Sequence, residues 1–186
     1  QASFALSIVL ASGSAMSARA ECVDSPGKVL RVCVSAENGS AYYEVSRRGQ
    51  PIMARATLGM RFVGEEKARV ASAGKVTRRS VNSTWEQPWG EQRLIRDRHN
   101  ELRQPFAGNT PNTKAFDVVV RVFDDGFGFR YDFHGIPANQ AVAISDELTE
   151  FLPLNNYRAW WCEAYHRERD EYLYRRTKLN EVTKAE

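Results

Sequence analysis

One stretch, residues 117–133, constrains the fold more than any other part of the sequence. Residues 117–123 are mainly apolar and β-branched, and the Asp-Asp-Gly at residues 124–126 is typical of a tight turn. Because successive side chains of a strand point to opposite faces, a ring at every second position builds one aromatic face. The stretch therefore predicts a β-hairpin whose aromatic face lies in a sandwich core. The rings belong to Phe127, Phe129, Tyr131 and Phe133.

Other segments carry similar strand and turn signals. Apolar residues alternate along residues 30–34, and Asn38-Gly39 is a typical hairpin turn before a second strand at residues 41–46. Arg48-Gly49 indicates a further turn, and residues 142–145 a further short strand. Helix signals are weak, so many short strands joined by turns predict an all-β sandwich.

Two segments do not carry these strand patterns. Residues 85–102 combine Trp, Pro and Gly with many charges, and residues 152–179 are rich in Trp, Tyr and Arg. Binding groups are often found on loops held by a rigid scaffold. Both segments are therefore predicted to be long aromatic-rich loops on the sheet scaffold.

Composition narrows the class of protein. The 186 residues are 42% hydrophobic and 26% charged, with a formal net charge of +3, so a packed core is expected and disorder is not. The basic residues form no dominant block, so we expect no nucleic-acid partner. No apolar run is long enough to predict a membrane span.

The first twenty residues differ from the rest. Residues 4–10 are apolar, and Ala18-Arg19-Ala20 has the small-x-small form of a signal-peptidase site. Residues 1–20 are therefore interpreted as a partial secretory signal peptide, with a buried N-terminal helix as the alternative. We accordingly expect an exported protein.

Three cysteines and three histidines are present. Cys33 lies within an apolar alternation and is predicted to be a small buried hydrophobic residue. Cys22 is open to pairing with Cys33 or Cys162 after export, and nothing in the sequence selects between them. The histidines are far apart, and none of the common hydrolase, metalloprotease or nucleotide-binding motifs occurs. We therefore expect no catalytic residues in this chain.

Several motifs together resemble the N-terminal domain of glycoside hydrolase family 97. They occur in the order of that family and cover most of the chain after Cys22. As a set they are specific, although each alone would be weak. They lie at residues 83–91, 95–102, 121–131, 146–151, 159–161 and 171–174.

The resemblance implies a fold and an activity. Members of the family are exported α-glucosidases and α-galactosidases, mostly from bacteria, which implies a bacterial protein that is periplasmic or extracellular. They have an N-terminal β-supersandwich of antiparallel strands, a central (β/α)₈ barrel and a C-terminal β domain. Residues 21–186 would be an incomplete supersandwich that packs on the barrel, and the catalytic carboxylates would lie in the barrel. The expected partners are that catalytic barrel and an α-linked oligosaccharide. The alternative is a free-standing carbohydrate-binding sandwich with Trp-rich loops.

The resemblance also implies a metal and candidate site residues. Family members hold a Ca²⁺ ion at the sugar subsite, mostly through barrel glutamates, and Glu171 matches the one ligand from the N-terminal domain. Carboxylates suit this hard cation, and the alternative is that Glu171 is a solvated loop residue. Trp160 and Trp161 are candidate substrate-binding residues, with a packing role equally open. Packing roles are favoured for Trp85 and Trp89, and a polar cluster that fixes a loop for Arg96, Asp97, Asn100 and Glu101.

Overall fold

The computed structural model describes residues 20–64, 70–108, 115–136, 139, 141–162 and 172–182. These residues form β-strands joined by turns, with one short 3₁₀ turn at Leu179–Glu181. The all-β prediction is therefore confirmed. The strands are β1 Glu21–Asp24, β2 Leu30–Glu37, β3 Ser40–Arg47, β4 Gln50–Leu58, β5 Met60–Phe62, β6 Val70–Ala73, β7 Thr77–Glu86, β8 Leu94–Gly108, β9 Phe116–Val122, β10 Phe127–Phe133, β11 Ile144–Glu147, β12 Arg158–Trp161 and β13 Arg175–Lys178.

The first sheet is an antiparallel meander in the order β1-β2-β3-β4. Its turns lie where the sequence predicts them: Asn38 and Gly39 both have positive φ, as do Arg48 and Gly49. Two consecutive positive φ values are those of a type I′ turn, which matches the twist of the flanking strands. Both hairpins follow directly from local turn chemistry.

The second sheet has the order β10-β9-β8-β6, and β7 also pairs with β8. The predicted hairpin is confirmed, because β9 and β10 pair in register from Phe116 opposite Phe133 to Val122 opposite Phe127. All four predicted rings pack against the core. Two further strand pairs, β5 with β11 and β12 with β13, form small two-stranded sheets.

The core lies between the inward faces of the two larger sheets. The first sheet contributes alternating apolar residues of β2 and β3, and the second contributes the valines of β9. The ring of Tyr43 lies 5.5 Å from that of Phe129, which joins the two sheets. The most deeply buried members are Val32, Val34, Ala41, Tyr43, Ala56, Leu102, Val118, Val120 and Val122.

The two predicted aromatic-rich loops are corrected by the structure. Residues 85–102 include the end of β7 and much of the fifteen-residue strand β8. Residues 152–179 contain the strands β12 and β13. Charged residues are adjacent in these strands, as at residues 96–98 and at Arg175-Arg176, so no apolar–polar period of two marks them. The strand predicted at residues 142–145 is shifted, because β11 begins at Ile144.

The disulfide corrects another prediction. Cys22 and Cys33 are directly opposite each other on β1 and β2 and form a disulfide bond. Cys33 is therefore not a buried hydrophobic residue, since Val32 and Val34 on either side of it take the core positions. Cys162 is a free thiol.

One predicted segment lies outside what the structure describes. The predicted signal segment, residues 1–20, falls outside the described residues except for Ala20. Among the described residues, no helix has the length and apolarity needed to cross a membrane.

The buried face of β8 provides a stability prediction. Leu102 is fully buried opposite Val120, whereas Leu94 on the same strand is 58% exposed. Leu102→Ala should lower the free energy of unfolding by about 2–5 kcal/mol, because the cavity adds to the lost transfer energy. The matched control Leu94→Ala should change it by less than about 0.5 kcal/mol. Urea titration followed by circular dichroism measures both, and equal effects would contradict this core assignment.

Candidate functional site

The ribbon formed by β12 and β13 has one open face. Trp160 lies opposite Arg176, and Arg158 lies opposite Lys178. Directly opposed residues of an antiparallel pair share a face, so these four side chains lie together. All four are exposed. We call this surface the Trp160 face.

The indole of Trp160 is 62% exposed in this position. The guanidinium carbon of Arg176 lies 4.8 Å from the centroid of its ring, a cation–π contact that fixes the side chain while leaving most of it uncovered. A ring held in this way offers a flat apolar surface at little conformational cost. The Trp160 face is thus a preformed aromatic surface with cations on either side.

Trp161 has a different environment. Adjacent residues of a strand point to opposite faces, so Trp161 shares its face with Ala159, Arg175 and Thr177. Its Nε1 donates a hydrogen bond to Thr177 Oγ1 at 3.0 Å, and the ring is half-buried. The two tryptophans, which the sequence could not distinguish, therefore cannot stack on the same ligand ring. Only Trp160 is presented for such a contact.

The candidate calcium ligand Glu171 lies outside the described residues. Within the described part of the chain, no group of three or more His, Cys, Asp or Glu side chains is arranged to hold a metal ion. The described residues alone therefore do not form a calcium site.

The tryptophans for which a packing role was favoured are not buried by the described residues. Trp85 near the end of β7 is 50% exposed, and Trp89 in the turn before β8 is 83% exposed. Packing of these rings between sheet and loop or against the barrel therefore stays a prediction.

A charged network covers the outer face of the second sheet, opposite the core. Glu101 on β8 accepts two hydrogen bonds from Arg79, at 2.7 and 2.8 Å, and one from Arg121 at 2.8 Å. These hydrogen bonds, mainly the one from Arg79 and then the one from Arg121, lower the pKa of Glu101 to about 2. The carboxylate of Glu101 is therefore ionised throughout the ordinary pH range and cannot act as a general acid there.

The network continues along the same face. Arg103 donates hydrogen bonds to Asp117 at 2.6 Å and to Asp132 at 2.7 Å. The hydrogen bond from Arg130 is the main reason that the pKa of Asp132 is lowered, and the hydrogen bond from Arg103 lowers it further. His134 Nε2 lies 2.8 Å from Asp117 Oδ1. Because the acids are tied to guanidinium groups, the network is suited to holding strands together rather than to proton transfer.

The polar cluster predicted around residues 96–101 is corrected in the same way. These residues lie on β8, not on a loop, and strand alternation sends them to two faces. Asp97 and Glu101 join the outer face, where Asp97 Oδ1 lies 2.5 Å from His99 Nδ1. Asn100 points to the other face and donates to the backbone oxygen of Asp24 at 2.8 Å. The strand signal is weak in the sequence, because residues 96–98 are all charged and the apolar residues of the buried face, Leu102 and Phe106, are four positions apart.

The network makes a pH-dependent prediction. Because the folded pKa of Glu101 lies below its ordinary value of 4.5, its pairing stabilises folding above pH 4.5 and is lost as pH falls toward 2. Glu101→Gln should lower the free energy of unfolding by at most about 3 kcal/mol at pH 7, and this difference should shrink below pH 4.5. The measurement is thermal unfolding between pH 7 and 3.

Glu86→Gln is the matched control, since Glu86 makes an exposed ion pair with Arg93. It should change stability little at any pH. A Glu101→Gln effect that is constant across this pH range would contradict the assignment.

Comparison with known proteins identifies the family. The sequence model described as glycosyl-hydrolase 97 N-terminal matches residues 23–186. A probable retaining alpha-galactosidase of Streptomyces bingchenggensis is 29% identical over 144 residues, which is 77% of this chain and 22% of that protein.

Solved structures agree with this assignment. A glycoside hydrolase family 97 enzyme of Pseudoalteromonas sp. strain K8, in complex with panose, is 32% identical with a TM-score of 0.75 over 87% of this chain and 25% of its own. The same enzyme in complex with acarbose gives 33% identity and a TM-score of 0.74, over 86% of this chain and 25% of its own. A beta-arabinopyranosidase at 20% identity, with a TM-score of 0.66 over 77% of this chain and 23% of its own, shares the fold.

This chain thus spans about a quarter of the length of the relatives it matches. In those relatives the domain accompanies a catalytic domain. The family match over nearly all of the chain, with motifs and fold in agreement, shows that the chain belongs to glycoside hydrolase family 97 and represents its N-terminal domain.

Proposed function

We propose that this chain is the N-terminal part of an exported, calcium-dependent α-glycosidase, of the α-glucosidase or α-galactosidase class, that acts on oligosaccharides. Its domain packs against the catalytic barrel and helps to shape the sugar site. The support is the family assignment, together with a relative described as a probable retaining alpha-galactosidase and a family structure that holds panose.

The observation that carries a role in sugar contact is the geometry of Trp160. Its ring is exposed on the open face of the β12–β13 ribbon and is held by Arg176, whereas Trp161 is tied to Thr177. The face of an indole suits the C–H face of a pyranose, because both are flat and apolar. We assign the stacking contact to Trp160 and a supporting role to Trp161.

Export is supported by two independent features. The disulfide Cys22–Cys33 closes the pair of β1 and β2, and such bonds persist in oxidising compartments. Residues 1–20 have the composition of a secretory signal. Together they favour a periplasmic or extracellular location.

Calcium enters the proposal through the family resemblance alone. Glu171 is the residue of this chain that would contribute a carboxylate oxygen, and the remaining ligands would come from the catalytic domain.

Catalysis provides the first test. The 186-residue chain alone should hydrolyse neither p-nitrophenyl α-glucoside nor p-nitrophenyl α-galactoside, because the catalytic carboxylates are assigned to another domain. Release of p-nitrophenol is followed by absorbance, with a purified α-glucosidase as the positive control. Turnover by the pure chain would overturn this part of the proposal.

Trp160 provides the second test, in the longer enzyme that contains this domain. Trp160→Ala should raise KM for an α-linked trisaccharide about three- to tenfold by removing the stacking surface. Trp89→Ala, which removes an exposed ring elsewhere in the chain, is the matched control and should leave KM unchanged. Equal KM values for Trp160→Ala and the unmodified enzyme would contradict the sugar contact.

Saturable trisaccharide binding by the 186-residue chain alone would instead favour the carbohydrate-binding module. In that case binding should be lost on Trp160→Ala and kept on Trp89→Ala. Isothermal titration calorimetry distinguishes these outcomes.

A further inference from the structure

Within the part of the chain that the structure describes, one edge of the strand β7 has no neighbouring strand. Its residues pair in continuous antiparallel register with β8, from Thr77 opposite Arg103 to Glu86 opposite Leu94. Among the described residues, none makes a backbone hydrogen bond to its other edge, and every residue except Val81 is exposed. Because alternate residues of a strand direct their N–H and C=O groups to opposite edges, about half of the ten residues of β7 present these groups unpaired.

This edge lacks several of the features that prevent strand addition, although three of its residues, Arg78, Arg79 and Glu86, are charged. Natural proteins shield exposed edges with charged side chains, above all lysine, and with proline, bulges or very short strands. The sequence of Thr77–Glu86 contains neither proline nor lysine, and its register with β8 has no irregularity. The edge is therefore competent to accept another strand.

The sequence of β7 is self-complementary about its centre. Suppose that the β7 strand of a second copy pairs with this edge in antiparallel direction, with Asn82 opposite Asn82. Two residues whose numbers sum to 164 then lie directly opposite each other, and the two members of each pair share a face of the sheet. The pairs that result join a cation to an acid, a cation to an aromatic ring, and two hydroxyls, each occurring twice by symmetry. They are Arg78 with Glu86, Arg79 with Trp85, and Ser80 with Thr84.

Neighbouring registers lack this match. When the two-fold axis passes through Val81 or Ser83 instead, opposed side chains still lie on the same face of the joined sheet. In both of these registers, however, neither Arg78 nor Arg79 lies opposite Glu86. Strand register is set by such cross-strand pairs, so Asn82 is the favoured centre.

The side chains involved are accessible for new contacts. Trp85 is half-exposed, and the side chains of Arg78 and Arg79 are exposed by about half while they pair with Glu21 and Glu101. Glu86 is more exposed and pairs with Arg93. Each guanidinium has five N–H donors, so a partner across the edge can be added without breaking the pair within the chain.

We propose that β7 is a homodimerisation edge, on which a second copy of this chain adds its own β7 in antiparallel register centred on Asn82. The second sheets of the two copies then form one continuous sheet across a two-fold axis. This proposal is independent of the sugar site, because it uses no residue of the β12–β13 ribbon.

The test is the mass of the 186-residue chain in solution, with and without Asn82→Asp. Sedimentation velocity over a range of concentrations should show a monomer–dimer equilibrium for the unmodified chain. Asn82→Asp should raise the dimer dissociation constant about tenfold or more, because it sets two like charges directly opposite each other. Within one chain the same change faces Arg96 and Arg98, so the fold should be kept, as circular dichroism will show.

Gln92→Glu is the matched control, since it adds the same charge to the turn between β7 and β8 but not to the pairing edge. It should leave the dissociation constant unchanged. A monomer at all concentrations, or equal dissociation constants for the unmodified chain and Asn82→Asp, would overturn the proposal.

A charge exchange tests the register itself. Arg78→Glu and Glu86→Arg should each weaken the dimer, and the double variant should restore it, because the cross-chain pairs are then re-formed with reversed signs. Failure of the double variant to recover any affinity, with its circular dichroism unchanged, would exclude the register centred on Asn82.

Discussion

The structure depends on the burial of one face from each of two antiparallel sheets. Alternating valines on β2 and β9 and the aromatic face of β10 meet in a single core, and Tyr43 joins the two sides through its contact with Phe129. Non-directional burial of this kind is the main favourable term in folding. It fixes which way every side chain of these strands points, and so decides which residues remain for the surface.

The outer faces then take on distinct roles. On the second sheet, the face opposite the core contains the network of Arg79, Glu101, Arg121 and their neighbours, which links strands through charge-assisted hydrogen bonds. On the small ribbon of β12 and β13, which lies outside both large sheets, the same alternation exposes Trp160 and half-buries Trp161. Whether a side chain contributes to stability or is free for binding thus depends on which face of the sheet its position along the strand directs it to.

The sequence predicted well where structure is determined by neighbouring residues. The turns at Asn38-Gly39 and Arg48-Gly49 and the hairpin of β9 and β10 are local, and each was predicted from turn chemistry and alternation. The strands β7 and β8 were not predicted, because charged residues are adjacent in both, at Arg78-Arg79 and at residues 96–98, so no regular alternation of apolar and polar residues marks them. The partner of Cys22 was also undecided, since it depends on the register of β1 with β2.

The sequence by itself determined the all-β class, the main hairpins and the family, because turn residues, alternation and ordered motifs are written in local spacing. Only the tertiary structure decided that Glu101 is an ionised member of a charged network, that Trp160 rather than Trp161 is presented, and that one edge of β7 is unpaired among the described residues. Each of these depends on which strands become neighbours. Which strands become neighbours is decided by the burial of apolar residues that are distant in sequence, and a local sequence pattern does not predict this.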